Sequence, residues 1–362
     1  MKHRNMNLPK IGVASTDWSQ TIFDNRGHPV AGGAGWVRLE QSRESWTYPS
    51  ATGGLVHNDT FGFGVVDFDG MVHFDCSVII MQRMMFKDLT RTMSLAKQRP
   101  VRPYIINDLD DWYWGLLPSN AAYSVVQPAN NPEENIDHYR KILELSDMVV
   151  VSTPFLYDKV SNFFGHPNVK LIENGVSTKH FAIRRHTPRN CVIGWVGSTS
   201  HRSRDLEELN GILDPHWKYH HSGHMTGAQT FAEATGVPLK SVTVAPMLPP
   251  RDYARFAFQF DIGLAPLSKN DFNKAKSWIK MIEYAACGIP CVASDSPEYV
   301  RLHETYGIGR IASNAAEWRS HLEELQDYET RRAEGRLMLE RVKELSVDKM
   351  TQSWNDIFAS IL

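Results

Sequence analysis

The residues best suited to chemistry are concentrated in one stretch, from Asn270 to Ser296. Two lysines, Lys276 and Lys280, lie close to the hydroxyl of Ser277 and shortly before the carboxylate of Glu283. Ammonium groups and the backbone N–H groups of a helix start both attract phosphate oxygens, and a carboxylate about two turns further along can bind a sugar hydroxyl. This order of groups predicts a binding site for a phosphate-linked sugar.

A helix and a buried strand must position these groups. Apolar residues recur at helical spacing from Trp278 to Cys287, so we expect a helix with one buried face that ends at Gly288. Pro290 prevents the helix from resuming, and Cys291-Val292-Ala293 is apolar enough for a buried parallel strand. The stretch is therefore one helix–turn–strand step of an open parallel sheet.

The same stretch resembles the signature of GT-B glycosyltransferases of the family-4 type, a glutamate-bearing helix followed by A-x-G-x-P-x-V-A-S-D. The matching residues are Glu283, Ala286, Gly288, Pro290, Val292, Ala293, Ser294 and Asp295. The resemblance implies that Glu283 binds the ribose of a nucleotide sugar. The family often has a second glutamate eight residues upstream, near the donor sugar, where this chain has Ala275. We therefore assign the donor-sugar contacts to Asn270, Asp271 or Asn273.

Three carboxylates, those of Asp108, Asp110 and Asp111, follow the predicted strand Tyr104–Asn107. Ligands of open α/β sheets bind beyond the carboxyl ends of the strands, and neighbouring carboxylates repel one another unless something uses them. The stretch resembles the Y-[DE]-I-D-D motif of some GT-B proteins. We predict that the three groups orient the sugar or the acceptor, with an acidic helix N-cap as the alternative.

Two glycine-containing turns follow predicted strands. Gly33 lies in the run Ala31–Gly35, between the strand Lys10–Ser15 and the predicted helix Trp36–Ser45. The glycine spacing excludes a dinucleotide-binding fingerprint, but a ligand can approach such a loop closely. The second turn begins at Gly197, after the strand Cys191–Val196 and before a helix predicted from about Arg204 to Leu213, which again predicts a phosphate site.

The resemblance adds further donor-binding candidates in the second half. In the family, Arg often follows the glycine that corresponds to Gly197, and Lys comes one turn later. This chain has Ser198 directly after Gly197, and more than one basic residue, including His201 and Arg202, could take the place of the Lys. The nucleobase pocket of the family falls after the strand Val242–Ala245. The candidates added in this way are Gly197, Ser198, Thr199, His201, Arg202, Met247 and Leu248.

The length of 362 residues suits two domains. The segments STPFLYDKV and ENGV resemble those with which the family closes its first domain, although Glu173 replaces the usual Pro and Ser177 the usual Asp. We predict an α/β protein with two Rossmann-like domains facing across a cleft. Residues 1–177 form the acceptor domain, residues 178–345 bind the nucleotide sugar, and the helix 346–362 packs back on the first domain.

Composition narrows the function further. The net charge is −2 and is divided evenly along the chain, which argues against a basic nucleic-acid module. Four cysteines without a C-x-x-C pair, no signal peptide and no long apolar run predict a cytoplasmic protein, with peripheral membrane contact left open. The histidines of residues 216–224 read as part of a strand, so no metal site is predicted there.

These patterns predict a glycosyltransferase that moves a sugar from a nucleotide-diphosphate donor to a saccharide or glycoconjugate, with retention by resemblance and without a cofactor. Lys276 joins the three aspartates as a catalytic candidate. One alternative uses Asp108 and Asp110 as D-x-D ligands of Mn²⁺ or Mg²⁺. Others are a nucleotide-sugar epimerase or hydrolase, a non-catalytic binding protein, and a phage-type enzyme acting on hydroxymethylated bases in DNA. The DNA alternative needs a groove of Arg83, Lys87, Arg91, Lys97, Arg99 and Arg102.

Overall fold

The computed structural model describes residues 8–16, 18–23, 26–58, 60–120, 122–126, 135–188, 191–197, 205–222, 228–245, 253 and 258–362. The chain forms two compact units. The first comprises Met1–Asp110, Val126–Glu173 and Asp348–Leu362, and the second comprises Asp111–Val125 and Asn174–Val347. Each unit contains its own largely parallel sheet, which confirms the predicted α/β class.

The first unit is built on an eight-stranded sheet. The sheet contains β1 Lys10–Ser15, β4 Ser50–Asn58, β5 Gly62–Asp67, β6 Val72–His73, β7 Cys76–Gln82, β8 Tyr104–Leu109, β9 Met148–Val151 and β10 Val169–Leu171. Two further strands, β2 Trp18–Phe23 and β3 Pro29–Ala31, form a separate hairpin. The order is β10-β9-β8-β7-β1-β4-β5-β6. Pairing is parallel from β10 to β4 and antiparallel from β4 to β6. The stretch Trp46–Asp75 thus supplies the antiparallel edge.

Helices cover this sheet. They are Gly33–Gly35, the π-helical turn Trp36–Glu40, Gln41–Arg43, Lys87–Ala96, Asn135–Leu145, Pro154–Asp158, the π-helical turn Lys159–Phe163 and the C-terminal helix Val347–Ile361. Trp354 and Phe358 of the last helix are buried against Trp46 in the apolar core of the first unit. Among the described helices, none combines the length and apolar character needed to cross a bilayer.

The second unit has a six-stranded, entirely parallel sheet. Its strands are β11 Val192–Val196, β12 Lys218–Ser222, β13 Val242–Ala245, β14 Ile262–Ala265, β15 Cys291–Ser294 and β16 Arg310–Ala312, in the order β13-β12-β11-β14-β15-β16. The remaining helical segments are Tyr113–Gly115, Tyr123–Val126, Asp205–Leu209, Ala228–Thr235, Leu239–Ser241, Asp271–Lys274, Ile279–Ala286, Pro297–Tyr306, Ala315–Glu324, Tyr328–Arg341 and Val342–Leu345. Two apolar clusters fill the space between sheet and helices.

The helix Ile279–Ala286, hereafter the central helix, confirms the helix–turn–strand prediction. It ends before Gly288, whose φ of +68° is accessible to glycine at little cost, and the chain then enters β15. Tyr284 fixes the helix to the sheet, because its hydroxyl donates to the Leu264 carbonyl and accepts from the Val196 N–H. A Cβ at Gly263 would lie 2.5 Å from the Tyr284 ring, so this close approach requires glycine.

Two predicted elements were wrong, and a third element was not predicted. The predicted helix from about Arg204 to Leu213 is only a 3₁₀ turn, Asp205–Leu209, in the part of it that the structure describes. The strand predicted to end at Asn107 continues to Leu109, which places Asp108 inside the sheet. The polar loop before the central helix contains the short helix Asp271–Lys274, whose first turn is capped by the Asn270 side chain.

Candidate functional site

Lys280 lies in the first turn of the central helix, beside the carboxyl end of β11. Its Nζ donates a hydrogen bond to the Val196 carbonyl oxygen and lies 5.1 Å from the centre of the Trp195 ring. Within the described chain no carboxylate lies within ion-pair distance of this ammonium group. Burial lowers the pKa of Lys280, and the nearby Glu283 only partly offsets that effect. Lys280 is therefore a partly buried cation without a full countercharge.

Glu283 lies about one turn further along the same helix. The Tyr253 hydroxyl donates a hydrogen bond to its Oε2 at 3.4 Å, and no cation of the described chain forms an ion pair with it. Burial raises the pKa of Glu283 above its ordinary value, against the opposing charge of Lys280. A carboxylate held in this way is suited to accept a hydrogen bond from a ligand hydroxyl.

Lys276 precedes the central helix and is held by two contacts. Its Nζ lies 2.7 Å from the Asp111 Oδ1 and 4.4 Å from the centre of the Phe272 ring. The segment that carries Asp111 packs closely here, since a Cβ at Gly115 would lie 2.7 Å from the Phe272 backbone nitrogen. The structure thus brings together two predicted site residues, Lys276 and Asp111, that are 165 positions apart.

Ser277 and Asn273 are also held by side chains of the second unit. The Asn174 Nδ2 donates to the Ser277 Oγ at 2.6 Å. Asn273 is 2% exposed, and its Nδ2 donates to the Asp205 Oδ1 at 2.7 Å and to the Ser268 carbonyl at 2.9 Å. Its Oδ1 has no hydrogen-bond partner in the part of the chain that the structure describes. This acceptor keeps Asn273 a candidate for a donor-sugar hydroxyl.

Asp108 and Asp110 lie in the first unit, and each is paired with an arginine. Asp108 is fully buried, with both oxygens accepting from the Arg38 guanidinium and one also from the Gln82 amide. The Arg83 Nη2 lies 2.8 Å from the Asp110 Oδ2. Asp108 therefore contacts protein groups rather than solvent, because β8 continues past it. That Asp110 and Asp111 orient the sugar or the acceptor remains a prediction.

The same contacts bear on the D-x-D alternative. Both carboxylates already have a guanidinium partner, which is a poor arrangement for two ligands of one cation. Within the described residues, no group of three His, Cys, Asp or Glu side chains comes together as a metal site.

The two glycine candidates differ in what surrounds them. Gly33 is exposed at the start of a short helix of the first unit, and a Cβ there would meet no atom within 4 Å. Gly197 follows β11, and a Cβ there would lie 2.5 Å from the Trp195 ring. The ring therefore leaves no room for a side chain at this position. Six predicted donor-binding residues lie outside the described residues: Ser198, Thr199, His201, Arg202, Met247 and Leu248.

Sequence reasoning missed four residues that surround the candidates: Trp195, Tyr253, Asp205 and Asn174. Trp195 lies in the predicted strand Cys191–Val196, to which no binding role was assigned, and Tyr253 lies in a segment to which no role was assigned. Asn174 belongs to the ENGV stretch, which was used only to mark a domain end. A polar or aromatic residue at the end of a parallel strand was the available signal, because ligand sites lie there.

No family model matches the chain. A putative teichuronic acid biosynthesis glycosyltransferase, TuaH of Bacillus subtilis strain 168, is 22% identical over 180 residues, which cover 46% of this chain and 45% of that protein. The chain thus matches less than half the length of this relative.

Solved structures extend the likeness to the whole fold. Sucrose-phosphate synthase from Thermosynechococcus elongatus aligns with a TM-score of 0.68 at 13% identity, covering 98% of this chain and 99% of that one. The pneumococcal O-GlcNAc transferase GtfA, solved in complex with UDP and GlcNAc, aligns with a TM-score of 0.54 at 10% identity, covering 85% of this chain and 69% of that one. These structures share the GT-B fold, so the fold that the sequence predicts is confirmed.

Proposed function

Because the chain has the GT-B fold, we propose that it transfers a glycosyl group from a nucleotide-diphosphate sugar to a hydroxyl of a saccharide or glycoconjugate. The observation that carries this proposal is the pair of partly buried charges on the central helix, Lys280 and Glu283, neither of which has an ion-pair partner among the described residues. Partly buried charges without a direct ion pair are costly in a stable fold, and a bound ligand would compensate them.

The chemical task is to stabilise a leaving diphosphate. Lys280 and the start of the central helix would attract its oxygens, and Glu283 would bind the ribose. Lys276 would exchange its contact with Asp111 for the diphosphate as negative charge collects there. Asp111 would then orient the acceptor hydroxyl. Retention of the anomeric configuration is proposed from the family resemblance.

The proposed reaction needs no metal, since two lysines and a helix start supply positive charge. We expect full turnover in the presence of EDTA. Turnover that is lost in EDTA and restored by Mn²⁺ would contradict this part of the proposal and favour the D-x-D mechanism.

Modified DNA is the less supported acceptor. Three cations of the predicted groove already pair with carboxylates: Arg83 with Asp110, and both Lys97 and Arg102 with Asp147. Groups neutralised in this way contribute little to binding of a phosphate backbone. The names of the relatives, teichuronic acid biosynthesis and sucrose-phosphate synthesis, support a saccharide acceptor instead. We also propose a cytoplasmic location, in keeping with four free cysteines.

A panel of nucleotide sugars, screened by thermal shift and then incubated with saccharide acceptors, tests the proposal. Mass spectrometry should detect an acceptor heavier by one glycosyl unit together with the nucleoside diphosphate. Release of free sugar or of an epimer without acceptor would indicate a hydrolase or an epimerase. Binding with no product at all would indicate a non-catalytic protein.

Lys276→Ala tests the role of the lysine that pairs with Asp111. If Lys276 binds the diphosphate mainly as the glycosidic bond breaks, the substitution should lower kcat about tenfold or more and raise the donor KM less. Lys274→Ala is the matched control, because Lys274 is exposed and pairs with Asp271. A change in KM alone would show that Lys276 only binds the ground state.

A further inference from the structure

We propose that Asn174 is a positioning residue for the donor diphosphate. It would fix the residues that lead into the central helix, so that Lys276 and the helix start face the phosphates. This inference rests on the proposed function and adds to it a residue that does not itself touch the donor.

Asn174 holds two consecutive residues at the helix start. Its Nδ2 donates to the Ser277 Oγ at 2.6 Å, and its carbonyl oxygen accepts from the Trp278 Nε1 at 3.0 Å. Trp278 is the N-cap residue of the central helix and is 1% exposed, and the Arg301 guanidinium carbon lies 4.2 Å from the centre of its ring. The side chain and the backbone of Asn174 thus fix adjacent positions directly after Lys276.

The backbone around Asn174 is itself held firmly. The Val176 N–H donates to the Leu345 carbonyl at 2.9 Å, and the Val347 N–H donates to the Val176 carbonyl at 3.1 Å. Between them, a Cβ at Gly175 would lie 2.7 Å from the Ser346 carbonyl oxygen. Asn174 is only 5% exposed. Its amide is therefore presented from a fixed backbone rather than from a loose loop.

A fixed amide is suited to orient Ser277. With its hydroxyl oxygen accepting from Asn174, the Ser277 O–H is left to donate, and a phosphate oxygen is an acceptor. The same bond limits the motion of the chain between Lys276 and the helix start, and preorganised donors bind a developing charge more strongly than mobile ones. Loss of the Asn174 amide should therefore weaken binding of the diphosphate but not of the nucleoside.

The test compares two ligands on Asn174→Ala by calorimetric titration. The probes are the nucleoside diphosphate that gives the largest thermal shift among UDP, GDP, ADP, CDP and dTDP, and the corresponding nucleoside. We expect affinity for the nucleoside diphosphate to fall about threefold to tenfold, the worth of one hydrogen bond, with nucleoside affinity unchanged. Asn168→Ala is the control, because the Asn168 side chain makes two hydrogen bonds but lies in the first unit. It should lower the Tm and leave both affinities unchanged.

A double-mutant cycle with Ser277→Ala adds a second readout. If Asn174 acts through Ser277, the double variant should bind the nucleoside diphosphate little worse than Ser277→Ala alone. Equal weakening of both ligands, additive losses, or no loss on Asn174→Ala would overturn the inference while leaving the proposed function intact. A wild-type protein that binds no nucleoside diphosphate would instead contradict the proposed function itself.

Discussion

The two units differ in whether the charged side chains near the ends of their parallel strands form ion pairs. In the first unit, Asp108 and Arg38 are almost completely buried and neutralise each other through bidentate hydrogen bonds. In the second unit, Lys280 donates to a carbonyl oxygen and Glu283 accepts from a hydroxyl, so each lacks an opposite charge in direct contact among the described residues. The charges of Asp108 and Arg38 thus balance each other in direct contact, whereas those of Lys280 and Glu283 are not balanced by a direct ion pair among the described residues.

We interpret this difference as one between charges that stabilise the fold and charges that we propose bind a ligand. A compensated buried pair stabilises its surroundings only as a unit, and removing one partner leaves the other charge unpaired. An uncompensated charge costs stability in the free protein and recovers it when a complementary ligand binds. Burial lowers the pKa of Lys280 and raises that of Glu283, so it favours the uncharged form of each group. These shifts reflect the cost of keeping the two charges in the free protein.

Asp108→Asn should have the largest effect on stability. It leaves the Arg38 guanidinium buried without its carboxylate, so we expect unfolding to become easier by about 3–5 kcal/mol in denaturant titrations. Affinity for a nucleoside diphosphate, measured under native conditions, should not change. Lost affinity with unchanged stability would assign Asp108 to the ligand site and break the comparison.

Asp75→Asn is the matched control for that substitution. Asp75 also pairs with a cation, since its Oδ2 lies 2.7 Å from the Lys10 Nζ, but its side chain is 66% exposed. An exposed pair contributes about 0–1 kcal/mol, so this variant should unfold almost like the wild type.

Lys280→Met should reverse the pattern seen for Asp108. The substitution removes a partly buried cation that has no direct ion pair among the described residues, so we expect the free energy of unfolding to stay level or to rise by about 1 kcal/mol. Nucleoside diphosphate affinity should fall about tenfold or more, because a charged contact is lost. Lys343→Met, at an exposed position, should change neither quantity. Destabilisation of Lys280→Met by several kcal/mol would show that Lys280 is a structural cation.

The pH dependence of ligand binding should be a smaller effect with two limbs. Burial raises the pKa of Glu283 to about 7 and lowers that of Lys280 to about 8. Below the first value Glu283 gains a proton and loses its charge, and above the second Lys280 loses its charge. Nucleoside diphosphate affinity should therefore be highest between these values. Lys280→Arg should abolish the alkaline fall, because Arg stays protonated. A fall of equal size in that variant would contradict the assignment.

Much of the framework was predictable from local patterns. The runs CSVIIM, DMVVVS and CVIGWV are short and apolar, and each forms a buried parallel strand. The central helix and its glycine stop were equally readable, because helical spacing and Gly288 indicate the same boundary. Local sequence was less informative for the helix Ala228–Thr235, which lies between segments of mixed polarity and was not predicted.

The pairing of the site residues was not predictable. Asp108, Asp110 and Asp111 are near neighbours in sequence, yet their partners are Arg38, Arg83 and Lys276 respectively. Those partners are set by the tertiary fold, and no periodicity reveals them. The extra two residues of β8 are likewise decided by pairing with β7 and β9, and they convert Asp108 from a candidate ligand group into a buried partner of Arg38.

The central claim is that Glu283 serves a ligand rather than the fold, and one measurement tests it directly. Glu283→Gln keeps the shape of the side chain and removes its charge. Calorimetric titration of the nucleoside diphosphate should show binding weaker by about 1.5–3 kcal/mol, the value of a charge-assisted hydrogen bond, with a Tm equal to or above that of the wild type. Unchanged affinity together with a lower Tm would contradict the account, since Glu283 would then stabilise only its own helix and Tyr253.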